Sequence, residues 1–151
     1  MRITVVSAAA LAITLFSGAA MADLQLYKDY TLSDAIWSVT AIKVEPNMGD
    51  AYLEGIKKTW VGTNKVSKSL GHIEDYQILR SNLPESGAFN LLLVVKFKND
   101  EMLAPNKARY DAFMTRFGEA QQKATTEQAQ RDYPAMREIV GEYQFREVTL
   151  N

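Results

Sequence analysis

Histidine is the side chain that ordinarily titrates near neutral pH, and this chain has one, His72. It follows the Leu70-Gly71 pair directly and precedes Tyr76 by four positions. A general base at His72 with a hydroxyl donor at Tyr76 is therefore one chemistry the spacing permits, that of a cofactor-independent oxygenase or isomerase-like enzyme. The competing reading is an exposed histidine whose positive form interacts with the C-terminal end of a helix. Four aromatic residues, Trp37, Trp60, Tyr76 and Tyr143, have the character to line an apolar pocket for a flat organic molecule. Aromatics at strand and helix spacing also serve as plain core, so both readings stand side by side.

Other chemistries are excluded by what is missing. The 151 residues contain no cysteine, which removes disulfides, thiol catalysis, Cys-ligated zinc and iron–sulfur clusters. One histidine cannot build a multi-histidine metal site. The acidic pairs Glu74-Asp75 and Asp100-Glu101 are sequence neighbours, and neighbours on a strand point to opposite faces, so they chelate poorly. His72 alone, without a supporting motif, is weak as a haem ligand. The expectation is no metal and no cofactor. Seventeen Lys and Arg against eighteen Asp and Glu give a net charge of −1, which argues against nucleic acid as a partner. Lys57, Lys58, Lys65 and Lys68 make one helix face basic, as a solvated surface does. There is no Gly-rich phosphate loop, serine nucleophile elbow or internal repeat.

The elements that must position these residues alternate along the chain. Ile36 to Val44 reads as a strand, closed by Glu45-Pro46-Asn47. A helix should start near Asn47 to Asp50, which offer N-cap oxygens, and carry Leu53, Ile56, Trp60, Val66 and Leu70 on its inner stripe. Gly62 weakens its middle and Leu70-Gly71 stops it. Ile73 to Leu79 is a second strand, residues 81–87 (SNLPESG) a turn, and Phe89 to Lys98 a third strand. Residues 91–95 are apolar without a break, so that strand is central and covered on both sides. A second helix begins near Pro105-Asn106 with Tyr110, Phe113, Met114 and Phe117 at helical spacing. Residues 118–133 are polar and fit a helix extension or a loop equally. Tyr133-Pro134 suggests a short helix with Met136, Ile139 and Val140 inward, stopped by Gly141. Glu142 to Leu150 reads as the last strand.

The first 22 residues stand apart. Arg2 precedes an uncharged run from Ile3 to Phe16, followed by Ser17-Gly18 and the small residues of Ala20-Met21-Ala22. That run is short of the eighteen or so residues that span a bilayer, and fits a secretory signal cleaved after Ala22. The expected product is a periplasmic or secreted protein with no membrane contact after cleavage. It would have an N-terminal arm at 23–35 and one domain at 36–151.

The order β-α-β-β-α-β is that of an α+β ferredoxin-like fold, two helices covering one face of a four-stranded antiparallel sheet. The opposite face would carry Leu92 and Val94, too apolar to stay in water, and pairing of two sheets would bury it. The runs at 52–79 (YLEGIKKTWVGTNKVSKSLGHIEDYQIL) and 89–100 (FNLLLVVKFKND), with the terminal GEYQFREVTL, resemble the dimeric α/β-barrel superfamily over residues 36–150. Within it the resemblance is to small exported bacterial proteins without assigned activity. It implies a homodimer, and the four aromatics add the expectation of a small hydrophobic or aromatic ligand. The same superfamily holds cofactor-free monooxygenases, haem-degrading enzymes and chlorite dismutases, so it transfers no single activity. A structural or stress-related interaction protein is the third reading.

Overall fold

Strand β2, Ile36–Val44, is the hub of a four-stranded sheet in a computed structural model that describes residues 23–151. The expected signal segment lies outside the described residues. β2 pairs antiparallel with β4 (Leu91–Phe97) on one side and β5 (Arg137–Phe145) on the other, while β3 (Asp75–Arg80) flanks β4. The resulting order β3-β4-β2-β5 is the ferredoxin-like topology. Val44 exchanges hydrogen bonds with the Asn90 side chain, 2.8 Å to Oδ1 and 2.9 Å from Nδ2, so an asparagine continues the ladder where β4 has not yet begun.

Helices α1 (Gly49–Lys58) and α2 (Trp60–Ser69) follow β2, and α3 (Lys107–Phe117) and α4 (Glu119–Asp132) follow β4. Ile42, Val44, Leu91 and Leu93 from the sheet meet Tyr52, Ile56 and Tyr133, the buried core on the helix side. The first long helix breaks at Thr59, not at Gly62. The Thr59 hydroxyl donates back to the Gly55 carbonyl and also meets the Tyr133 hydroxyl, and such back-bonding bends helices. The helix starts where expected, but its cap position is Met48 and no side-chain oxygen caps it. Its far end is a Schellman turn: Gly71, at φ 70°, donates to Lys68 and His72 donates to Ser67, 3.0 and 2.9 Å.

Residues 119–132 are helical, and Tyr133–Ala135 form a single 3-10 turn. The last long strand begins at Arg137, so Ile139 and Val140 are strand residues and Gly141 does not end a helix. Pairing of Arg137, Glu138 and Ile139 with Val44, Lys43 and Ile42 claims them for the sheet, and the register shift between Ala41 and Ile42 absorbs one extra residue. Gly141 stands opposite Ala41 under the Tyr143 ring, where a Cβ would lie 2.6 Å from the Tyr143 hydroxyl.

Beyond the sheet, β1 (Tyr30–Leu32) pairs with β6 (Val148–Leu150) as a separate two-stranded ribbon. Arg146 fastens its base by donating to the carbonyls of Ser33 and Asp34 and to Asp100 Oδ2. Asn151 closes its tip through bonds to Asp29 and Lys28.

Candidate functional site

The register sorts the sequence-derived candidates by face. Ile42 and Val44 reach the helix-side core, so Trp37, Val39 and Ala41 point the other way. Trp37 lies on that open face under the Lys96 ammonium, 5.0 Å from the ring centroid, and its Nε1 donates to Glu147 at 2.9 Å. Tyr143, opposite Val39, shares the open face and stacks on Phe145. Trp60 and Tyr76 lie on the helix side and meet edge-to-face, centroids 5.6 Å apart. Two of the four aromatics are therefore together, and the other two occupy the opposite surface.

His72 and Tyr76 are also placed apart in function. His72 lines a depression of about 360 Å³ between α2 and α3, with Tyr110, Phe113 and Arg109, and Tyr76 is not part of its wall. The Arg109 guanidinium there is committed to the carbonyls of Glu101 and Ala104, at 3.0 and 2.6 Å.

A second cavity, about 270 Å³, opens between α1, α2, α4 and the start of β5. Its apolar wall is Ile56, Trp60, Leu93 and Ala129. Its polar wall is Tyr52, Thr59, Thr63, Thr125, Tyr133 and Arg137. The rings of Tyr52 and Tyr133 meet edge-to-face at 5.3 Å, and the Arg137 guanidinium stands 5.8 Å over the Tyr133 ring. Burial pushes the Tyr52 hydroxyl above the ordinary tyrosine range, and the neighbouring Arg137 pulls in the opposite direction. Two polar atoms of this wall, Thr125 Oγ1 and Arg137 Nε, are buried without a partner among the described residues.

Of these wall residues, sequence reasoning picked out only Trp60 as a site residue. Thr125, Ala129 and Tyr133 recur every fourth position and form one helix face, but it is too polar to register as an inward stripe. Its polarity is explained by the cavity it faces. Among the described residues no group of three or more histidines and carboxylates is disposed to hold a metal ion.

The candidate dimer residues Leu92 and Val94 both lie on the open face, in register with Ala41 and Val39. Val94 is already covered by its own protomer, 5% exposed, and Leu92 is half-buried. The exposed apolar surface there comes from Leu79, Tyr143 and Phe145, at 48%, 48% and 52%.

Neither a protein-family profile nor a curated protein sequence matches the chain. Among solved structures it is similar to HapK from Hahella chejuensis, with 16% identity, 74% of this chain and 91% of that one covered, and a TM-score of 0.45. Protein SO0527 from Shewanella oneidensis gives 13% identity, 80% and 98% coverage and a TM-score of 0.43. A dimeric protein of unknown function and ferredoxin-like fold from Bacteroides fragilis gives 9%, 80% and 99%, and 0.39.

Proposed function

We propose that this chain is an exported, homodimeric small-molecule-binding protein whose ligand is a small hydrophobic or aromatic molecule held between the helices and the sheet. The observation that carries the reading is the 270 Å³ cavity, with an apolar wall around Trp60 and polar groups gathered on one side, the composition of a small-molecule site. The open sheet face supports the dimer. Leu79, Leu92, Tyr143 and Phe145 give it an apolar area of the order of several hundred Å², more than a soluble monomer ordinarily leaves bare. Export is supported by the pattern of Arg2, the apolar run 3–16 and Ala20-Met21-Ala22.

Native mass spectrometry of protein purified from its own compartment tests all three parts at once. The expected species is a dimer of chains beginning at Asp23, carrying a small molecule that is released on denaturation. A ligand-free monomer retaining residues 1–22 would overturn the reading.

A further inference from the structure

Arg137 is a half-buried cation at the cavity wall, and among the described residues no carboxylate lies within ion-pair distance of it. Its Nε–H is buried and unpartnered. A guanidinium donates only: Arg137 reaches the Tyr52 hydroxyl, but its Nε–H lacks an acceptor, and a half-buried positive charge without a carboxylate is best matched by a negative one. Its fork geometry suits a carboxylate in particular.

Thr125 supplies an independent observation. Thr59, Thr63, Thr115 and Thr126 each turn their hydroxyl back to the carbonyl four residues earlier in the helix. Thr125, next to one of them in α4, does not: its Oγ1 is buried and unpartnered, and the residue belongs to the same cavity wall as Arg137. A helical threonine normally satisfies itself in this way, so a buried hydroxyl at the cavity wall that does not keeps a donor free for a group bound beside it.

We propose that the cavity is selective for small aromatic carboxylic acids, the carboxylate taken by Arg137 with Thr125 as second donor and the ring lying against Trp60, Ile56 and Leu93. This rests on the reading of the cavity as the ligand site. A volume of about 270 Å³ lies just below the usual range for small-molecule sites, which limits the ligand to one or two fused rings. The carboxylate end specifies and the apolar wall holds.

Calorimetric titration with 2-naphthoate and its neutral isostere 2-naphthamide tests the assignment. On the unmodified protein the acid should bind at least tenfold more tightly than the amide. Arg137→Gln should reduce the acid to the amide's affinity while leaving the amide unchanged. Thr125→Val should weaken the acid several-fold, and it keeps the test decisive if Arg137→Gln does not fold. In ¹⁵N-labelled protein the Arg137 Nε–H resonance should shift with the acid and not with the amide. Equal affinities for the two probes, or a preference for the acid that survives Arg137→Gln, would overturn the inference while leaving the cavity a ligand site. Failure of both probes to bind would overturn it together with the reading on which it rests.

Discussion

Tyr133 joins three parts of the molecule through one side chain: its ring meets Tyr52 of α1, its hydroxyl meets Thr59 between the first two helices, and Arg137 stacks over it. Gly55 permits this approach, since a Cβ there would lie 3.0 Å from the ring. Tyr133→Phe should cost about 1 kcal/mol, the net worth of a buried hydrogen bond, read as a lower urea midpoint with an unchanged slope. Tyr52 provides a pH-dependent check. Its folded-state pKa is raised, chiefly by burial, so its contribution is complete below the ordinary tyrosine value of 10.0 and is lost as pH rises through the folded value. Urea midpoints followed from pH 8 upward should fall more steeply in the parent than in Tyr52→Phe. At the end of α2, His72 serves the helix stop through its backbone N–H, a bond any residue but proline can make. His72→Gln should therefore change stability by at most about 1 kcal/mol, the scale of a charge at a helix terminus; a larger loss would show that its side chain is part of the packing.

Two glycines in the helical layer should respond in opposite ways to the same change. Gly118 separates α3 from α4 at φ 90°, with open space where a Cβ would be, so Gly118→Ala costs only backbone strain, about 1–3 kcal/mol. Gly62 lies inside α2, also with nothing within 4 Å of an added Cβ, and Gly62→Ala should stabilise by about 0.5–1 kcal/mol. Thermal melts of the two variants beside the parent decide both. The elements most legible in the sequence were those whose periodicity comes from burial in an apolar core: β2 has the bounds its alternation implied, and β4 is central as its unbroken apolar run required. Three features were hidden for separate reasons. The break falls at Thr59, whose hydroxyl also meets Tyr133, 74 positions away, a contact that no local pattern announces. The start of β5 depends on pairing with β2, which overrides the helix-like spacing of Met136, Ile139 and Val140. The inner face of α4 borders a cavity and is partly polar, so the signal that usually marks an inward helix face is absent there. Trp60 was the one cavity-wall residue singled out in advance, because it is large and apolar. Arg137 and Thr125 were not, because as isolated letters they look like surface residues.

At the scale of the whole molecule, the open sheet face governs how the protein behaves in solution. Light scattering coupled to size exclusion should give a dimer at micromolar concentration, and Leu92→Lys should yield monomer or aggregate, because Leu92 is a central-strand residue that remains partly uncovered there. Val94 is the poorer position for that experiment, since a charge at a residue buried within its own protomer would also unfold it. The β1–β6 ribbon bears on how the chain reaches this state. It joins Ser33 to Glu147, 114 positions apart, a closure costing about 4 kcal/mol of chain entropy if made before anything else. The sheet lowers that cost, because pairing of β2 with β5 brings the two segments side by side first. Chain entropy therefore favours an order in which β5 finds the central strand before the ribbon closes, and residues 30–32 have no ribbon partner until residues 148–150 have been made. A variant without residues 148–150 keeps every strand of the four-stranded sheet but leaves residues 30–32 as a bare strand for another molecule to pair with.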